Sequence, residues 1–346
     1  VPRIDYTGGG CPHILAEPER TNLITYSEDF SNGIWQKQTG VTPTYNTTET
    51  LSPDGTYNAT KFIGNGSSGV LRAGISITGV VARSVYLKSV TGTVNVVLKD
   101  PNQTVTSKSL TITTEWQRFD LTEDNTIALQ GIWIDDIPVS GIYMWGAQLE
   151  EGSYATSYIP TDGSTVTRIQ DQYEKTGISD LINSEEGVLY AEIAALDADS
   201  TYRYISFSDG TADNSVRIYL NSNGTQLSAQ LRLGGVVQCV FNYTVSNVLE
   251  FNKIAFKYKE NDFALWIGGV ERDTDTSGST FSADTLNELS FDRGDGTQLF
   301  FGKVKQLQVY NTALTDEQLL QLTGESGTDF YESYAEMAAA LTYTIQ

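Results

Sequence analysis

The sequence has few basic residues, one histidine and no long apolar run. Among its 346 residues, 22 Lys and Arg stand against 43 Asp and Glu, which gives a formal net charge of -21. Nucleic acid is therefore excluded as a partner, because binding to a phosphate backbone depends on clustered Lys and Arg. No apolar run is long enough to cross a bilayer as a helix, so membrane insertion is not expected either.

The scarcity of histidine and cysteine limits catalysis and metal binding. His13 lies in a Gly- and Pro-rich segment, which is a poor platform for a His-dependent triad or a zinc site. Cys11 and Cys239 are far apart in the sequence, and no Cys or His pair has metal-ligand spacing. The sequence begins at Val1 rather than at Met, and we therefore expect a fragment of a longer polypeptide.

Composition and length predict an all-β fold. Aromatic residues make up 11% of the chain and Gly is abundant, whereas Met is scarce. The length suits two domains of ~150 residues each. We expect two antiparallel β-sandwich (jelly-roll) domains and a short C-terminal helical tail, with the following organisation: an extended N-terminal linker (1–20), a first sandwich (21–167), a linker (168–186), a second jelly roll (187–324) and the helical tail (325–346).

Local patterns support these elements. In residues 82–89, ARSVYLKS, alternate positions are apolar, which predicts a half-buried strand. Near the C-terminus, Thr315 is placed as a helix N-cap, with Glu317 and Gln318 in the first turn. Residues 331–341 predict another short helix with one apolar face.

Several motifs carry a resemblance to known families. Residues 300–323, FFGKVKQLQVYNTALTDEQLLQLT, resemble the closing strand and terminal helix of a laminin-G-like, concanavalin-type jelly roll. The motifs LAEPERTNLITYSEDFSNGIW, WGAQLEEG and SYIPT are similar to carbohydrate-binding-module sandwiches. Together with PRIDYTGG at the start and FYESYAEMAAALTYTIQ at the end, they make the chain resemble modular tail-fibre or receptor-binding proteins of bacteriophages.

The resemblance implies a virion-borne adhesin, located on the phage tail or surface and therefore extracellular, that recognises a bacterial surface polysaccharide. It further implies contacts with other virion proteins and a homotrimer, in which repeated weak sites would act together. Two alternatives stay open at this point. The chain could be a structural virion module, such as a decoration or spacer that binds no specific glycan, or it could be a polysaccharide depolymerase.

Two departures from the related families narrow the expected chemistry. Related sandwiches carry an Asp-Asp pair that helps to hold Ca²⁺, whereas this chain has Gln148 and Glu150 in the matching stretch, so calcium is not expected in the first domain. Glycosidases of the concanavalin fold carry paired carboxylates on one strand because acid and nucleophile must flank the glycosidic bond ~5 Å apart. No such spacing occurs here, and we predict no catalytic residues and no enzyme activity.

The candidate ligand-binding residues are aromatic or lie beside an aromatic residue. A sugar stacks its C–H face on an aromatic ring and exchanges hydrogen bonds with neighbouring polar groups. Trp35 follows a Ser-Asn-Gly turn, and Trp266 precedes two glycines. Tyr202 and Tyr204 alternate with Arg203. We predict that these five residues contact the ligand, with core packing as the alternative for the two tryptophans.

The candidate metal ligands lie in two Asp- and Gly-rich segments. Asp209 and Asp213 belong to SDGTADNS, and Asp292 and Asp295 belong to SFDRGDGTQ. Such segments form oxygen cages for Ca²⁺, the one cofactor that the sequence suggests, but ordinary tight turns use the same residues. A melting temperature that chelator leaves unchanged would exclude a stabilising ion.

Overall fold

The computed structural model describes residues 3–6, 12–101, 107–125 and 129–324. The chain forms two compact units. One unit, the inserted domain, comprises Glu17–Gln170, and the other, the discontinuous domain, comprises Val1–Ala16 and Asp171–Gln346. In the described residues, nearly all regular structure is antiparallel β-sheet and there is one short helix, which confirms the predicted fold class.

Two strands at the start of the chain belong to the discontinuous domain. They are β1 (Arg3–Asp5) and β2 (His13–Ala16), which pair with each other. Strand β2 also pairs with the strand Gly302–Tyr310 at the other end of the chain. The prediction of an N-terminal linker over 1–20 is therefore wrong for these residues. Residues 3–5 and 13–16 are extended as predicted, but the strand that pairs with β2 is too distant in sequence for any local pattern to reveal.

The inserted domain is built from short antiparallel strands in two five-stranded sheets and one two-stranded ladder. In the described residues these strands are β3 (Arg20–Asn22), β4 (Gln36–Lys37), β5 (Thr42–Thr44), β6 (Thr60–Ile63), β7 (Val70–Ser76), β8 (Gly79–Ser89), β9 (Val94–Lys99), β10 (Ser107–Ile112), β11 (Gln117–Asn125), β12 (Leu129–Asp135), β13 (Ile142–Glu151) and β14 (Val166–Arg168). The sheet orders are β10-β9-β12-β7-β4 and β11-β8-β13-β6-β5, and β14 pairs with β3.

Strand β8 shows why the two larger sheets pack together. Its residues Val85 and Leu87 are fully buried, in one core with Val96 and Leu98 of β9 in the other sheet. The alternate residue Tyr86 is only partly buried. The period of two in the sequence therefore places an apolar row between the sheets.

Arg83 lies on this apolar side of β8 and is fully buried. Its Nη2 is 2.9 Å from Asp100 Oδ2, and its Nη1 is 3.0 Å from Glu123 Oε2. Its Nη2 also donates to Gln130 Oε1 at 3.0 Å, and its Nε donates to Gly131 O at 2.9 Å. Because these partners come from both sheets, the guanidinium joins the sheets and has its charge compensated inside the core.

We expect Arg83→Ala to lower the free energy of unfolding of the inserted domain by about 3–5 kcal/mol, because it leaves buried carboxylates without their cation. The change is measured by urea denaturation of the full chain. The control is Lys108→Ala, since Lys108 and Asp120 form a half-exposed pair at 3.8 Å, and such pairs contribute about 0–1 kcal/mol. Similar small losses in both variants would contradict a structural role for Arg83.

The discontinuous domain continues after the inserted one with β15 (Glu174–Thr176), β16 (Glu186–Ala194), β17 (Arg203–Ser208), β18 (Ser215–Leu220), β19 (Gln226–Leu233), β20 (Val236–Thr244), β21 (Asn252–Lys259), β22 (Phe263–Ile267), β23 (Val270–Asp275), β24 (Glu288–Ser290), β25 (Gly302–Tyr310) and α1 (Asp316–Thr323). A seven-stranded sheet has the order β1-β2-β25-β16-β21-β22-β23, and a six-stranded sheet has the order β15-β24-β17-β18-β19-β20. The predicted linker 168–186 is therefore wrong where it includes β15, which pairs with β24.

The two sheets enclose an apolar core. Strands β17 and β18 contribute Ile205, Phe207, Val216 and Ile218, all fully buried. Residues from the seven-stranded sheet, such as Phe256, complete this core. The pattern is that of a sandwich in which alternate residues of each strand face inward.

Helix α1 covers a smaller cluster of the discontinuous domain. Its Leu319 is fully buried with five residues of the seven-stranded sheet, Val188, Tyr190, Ala255, Ala264 and Trp266. The predicted N-cap is confirmed: Thr315 Oγ1 accepts from Gln318 N, and Gln318 Oε1 accepts from Thr315 N. The second predicted helix, 331–341, lies outside the described residues. Within those residues no helix has the length and apolar character to cross a membrane.

Candidate functional site

The outward face of the six-stranded sheet gathers aromatic and hydrogen-bonding side chains. Because Ile205, Phe207, Val216 and Ile218 face the core, the residues that alternate with them lie on the other side of the sheet, where those of β17 and β18 are also buried. We call this surface the tyrosine–arginine face. Its residues on strands β17 to β19 are Tyr204, Ser206, Ser208, Ser215, Arg217, Tyr219, Ser228, Gln230 and Arg232.

Three tyrosine rings form one side of this face. Tyr204 lies directly across the ladder from Tyr219, and their ring centroids are 4.6 Å apart with the rings stacked at 25°. Tyr202, which is partly exposed, stacks on Tyr204 with centroids 5.9 Å apart. Burial raises the pKa of Tyr204 to about 12 and also raises the pKa of Tyr219. Both phenols are therefore neutral near pH 7 and retain hydrogen-bonding hydroxyls.

Arginine side chains lie beside the tyrosines. Arg217 is across the ladder from Gln230, and its Nη1 donates to Gln230 Oε1 at 3.1 Å, while its Nη2 donates to Ala212 O. Its guanidinium carbon is 5.8 Å from the centroid of the Tyr204 ring. Arg232 follows Gln230 by two residues on β19 and is thus the diagonal neighbour of Arg217.

A loop after β24 packs on the same face. Ser206 Oγ donates to Asp292 O at 2.9 Å, which attaches the loop to β17. Gly294 approaches β17 so closely that a Cβ atom there would be 2.9 Å from Ser208 Cβ. The loop carries Arg293, which is ion-paired with Asp295, to the tyrosine–arginine face. Arg293 is close enough there to interact electrostatically with Tyr204 and Arg217.

Tyr202 and Tyr204, which were predicted from sequence, lie on this face, and their contact with a ligand stays a prediction. Arg203 does not join them because alternation turns it to the opposite side of β17. It is buried there, with its guanidinium carbon 4.2 Å from the centroid of the Phe301 ring. The burial of Arg203 contradicts the prediction that it contacts a ligand.

Both predicted tryptophans are buried, which agrees with the core-packing alternative and not with a ring exposed to a ligand. Trp35 is 2% exposed in the core of the inserted domain, and its Nε1 donates to Tyr26 O at 2.8 Å. Trp266 is 7% exposed because Leu319 of helix α1 packs in the same cluster. The nearby glycines do form turns, but neighbouring elements cover both rings.

The four predicted metal ligands occupy tight turns. Asp209 Oδ1 accepts from both the backbone and the hydroxyl of Thr211, and Asp213 lies in the same turn. Asp295 Oδ1 accepts in the same way from Thr297, and Asp292 Oδ1 accepts from Gly294 N and Ser290 Oγ. In the described part of the chain, no group of three or more His, Cys, Asp or Glu side chains is placed to hold a metal ion. The geometry agrees with the tight-turn interpretation.

The sequence interpretation missed Arg217, Tyr219, Arg232 and Arg293. A signal for the first two was present, since SVRIYL alternates polar or aromatic residues with apolar ones, as YRYISFS does. Alternation identifies which residues face outward on one strand. It does not identify which strands are neighbours, and for that reason the grouping of these residues could not be inferred.

Residues 179–320, which include this face, match the Laminin_G_3 family model of the concanavalin A-like lectin/glucanases superfamily. This part of the chain is a concanavalin-like jelly roll. The match ends at residue 320 and therefore confirms the laminin-G-like resemblance for residues 300–320 of the stretch 300–323. No curated protein matches the chain in sequence.

Solved structures similar to part of this chain include the IT-sialidase CBM40 of Ruminococcus gnavus, at 18% identity and a TM-score of 0.36, covering 44% of this chain and 99% of that one. A leech intramolecular trans-sialidase is 20% identical with a TM-score of 0.35, covering 44% and 27% respectively. The SAP-like pentraxin of Limulus polyphemus is 15% identical with a TM-score of 0.34, covering 44% and 74%.

The loop that carries Arg293 depends on Gly294. We expect Gly294→Ala to reduce the free energy of unfolding more than Gly296→Ala does. Both glycines have positive φ, 96° and 72°, so each alanine costs about 1–2 kcal/mol in backbone strain. Only at Gly294 would the new Cβ collide with Ser208, adding about 1–3 kcal/mol, because Gly296 has open space. If urea denaturation showed the same loss of unfolding free energy in both variants, the close contact of the loop with Ser208 would be contradicted.

Proposed function

We propose that the chain is a non-catalytic glycan-binding module whose binding surface is the tyrosine–arginine face. The observation that carries this proposal is the partly exposed Tyr202 stacked on the buried rings of Tyr204 and Tyr219. The partly exposed amide of Gln230 lies beside them, held by a hydrogen bond from the buried Arg217. Aromatic surface binds the C–H groups of a sugar ring, and oriented polar groups beside it bind the hydroxyls.

The neighbouring edge strand supports this reading. Val240 of β20 is across the ladder from Gln230, and Val237 is across from Arg232, and both valines are exposed. Ser228 donates to Asn242 Oδ1 at 2.8 Å, which orients the exposed Asn242 amide. The face therefore continues as a mixed apolar and polar surface, the character that carbohydrate ligands require.

The carboxylates of the loop support binding without cleavage. Burial raises the pKa of Asp295, but hydrogen bonds from Arg293 and Thr297 outweigh this effect and hold the pKa at about 2. Asp295 is thus ionised at neutral pH and has no proton to donate to a leaving group. Asp292 is buried and accepts hydrogen bonds from Gly294 and Ser290 within its own turn.

One observation favours a second candidate function, polysaccharide depolymerase. Burial, with Asp292, Glu174 and Asp209 nearby, raises the pKa of Glu288, which is across the ladder from Ser208. A carboxylic acid with a raised pKa beside a second carboxylate is the arrangement that glycoside hydrolysis uses. Loss of polymer chain length on incubation with the protein would support this function, and an unchanged size distribution would exclude it.

For the biological setting, we propose a bacteriophage tail fibre or receptor-binding protein. The virion would then be its location, a bacterial surface polysaccharide its ligand and other virion proteins its neighbours. Support comes from the motifs at both ends of the chain and at the end of the inserted domain, WGAQLEEG with SYIPT. Attachment to a host would use the repeated sites of such a fibre.

The proposed binding surface is tested with the full chain against dextran, mannan, polygalacturonate, teichoic acid, a panel of bacterial capsular polysaccharides and whole bacterial cells. We expect selective binding. We expect Tyr202→Ala to weaken the binding affinity about tenfold, because this change removes the outer ring of the stack. The control is Tyr57→Ala, a tyrosine of the inserted domain that is 53% exposed. Absence of binding to every ligand would favour a structural virion module, and equal losses in both variants would place the site elsewhere.

The proposed homotrimer is tested by sedimentation. A fibre tip that relies on avidity needs several copies of a weak site, so we expect the purified chain to sediment as a trimer at high concentration. A strict monomer over the whole accessible concentration range would contradict trimer formation by these residues alone.

A further inference from the structure

Three arginines converge on the tyrosine–arginine face of a chain that is acidic overall, with a net charge of -21. Arg217 and Arg232 are diagonal neighbours on adjacent strands, a distance that long side chains span. Arg293, on the loop that packs against Ser208, is close enough to Arg217 to interact with its charge. Three basic residues are therefore gathered on this face, which also carries Glu288 opposite Ser208.

The arginines have few counter-ions within the protein. In the described residues, neither Arg217 nor Arg232 has a carboxylate within ion-pair distance, and their guanidinium groups donate to Gln230 and to the carbonyls of Ala212 and Gly235. Arg293 has one ion-pair partner, Asp295. The Nε atom of each of the three arginines is buried and has no hydrogen-bond acceptor in the described structure.

This arrangement is costly for Arg217 in particular. Its side chain is 2% exposed, and burial, followed by repulsion from Arg232 and Arg293, lowers its pKa to about 10. A buried cation without a counter-ion destabilises a fold by the desolvation of its charge. An anion bound at the partly exposed Arg232 and Arg293 would offset part of that cost through its charge.

We propose that the glycan bound by this face is anionic, with its acidic group held by the partly exposed Arg232 and Arg293 next to the buried Arg217, while a sugar ring packs against Tyr202. This inference rests on the proposed glycan binding and specifies the class of ligand. The shared chemistry is a planar or tetrahedral oxyanion, which guanidinium groups bind through paired hydrogen bonds. It is supplied either by the carboxylate of an acidic sugar or by a phosphodiester in the polymer.

The test uses the full chain and matched polymers. Polygalacturonate and its carboxyl-reduced product form the carboxylate arm, and teichoic acid with its dephosphorylated product forms the phosphate arm. We also take the capsular polysaccharide of the panel that binds most tightly. Its binding affinity is measured before and after carboxyl reduction, and before and after dephosphorylation. We expect neutralisation of the acidic group to weaken binding by at least about tenfold, the usual value of a hydrogen-bonded charge.

Variants connect the anion to the face. Arg232→Gln and Arg293→Gln change partly exposed residues and should leave the fold intact, and each is expected to weaken binding to the anionic polymer by about tenfold to a hundredfold. Arg217→Gln is the third variant, with circular dichroism as its folding check. The control is Lys259→Gln, which removes the same charge from an exposed side chain of the seven-stranded sheet paired with Glu186. Less than a twofold change is expected for this control.

The outcomes separate the two proposals. Loss of binding on carboxyl reduction or on dephosphorylation, together with loss in the arginine variants, supports the inference and identifies the source of the anion. Binding to a neutralised polymer as tight as to its parent overturns the anionic ligand but leaves glycan binding in place. Losses in Lys259→Gln equal to those in the arginine variants also overturn it. Absence of binding to any polymer or cell removes the proposed function itself.

Discussion

The packing of two sheets around one apolar core is the constraint on which the rest of the discontinuous domain depends. Strands β17 and β18 place Ile205, Phe207, Val216 and Ile218 inward, and the period of two then puts the alternate residues on the other side of the sheet. Ile205 and Phe207 belong to the core, so Tyr204 and Ser206 lie on that other side. Core formation and the composition of the tyrosine–arginine face are thus two results of one pattern.

Arg83 and Arg217 are both buried, but they differ in whether a carboxylate balances their charge. Arg83 has Asp100 and Glu123 as counter-ions and joins the two sheets of the inserted domain. Arg217 is similarly buried, yet its nearest charged neighbours are other arginines and a single loop carboxylate, Asp295. The charge of Arg83 is thus compensated by side chains of the same domain. Arg217 has no ion pair within the described structure, and the proposal of an acidic glycan rests on this difference.

The discontinuous domain also shows how sequence order and spatial order differ. Strands β1 and β2 precede the inserted domain, and β25 lies near the end of the described chain, yet they are consecutive in the seven-stranded sheet. Because β2 closes onto β25 through Ile14 and Val304, residues before the inserted domain contribute to a core formed mainly after it. A truncation that removed the first residues would therefore expose backbone hydrogen-bonding groups of β25.

Local patterns determined much of this protein by themselves. Composition predicted the all-β class. Alternation predicted the apolar side of β8, and Thr315 with Gln318 predicted where α1 begins, because these two features depend on residues close in sequence. They also placed Tyr202 and Tyr204 among the candidates. Only tertiary structure decided the partner of β2, the burial of Trp266 beneath α1, and the meeting of Arg217, Arg232 and Arg293. The reason is that strand order and the covering of one element by another depend on pairings between distant segments, which no local period encodes.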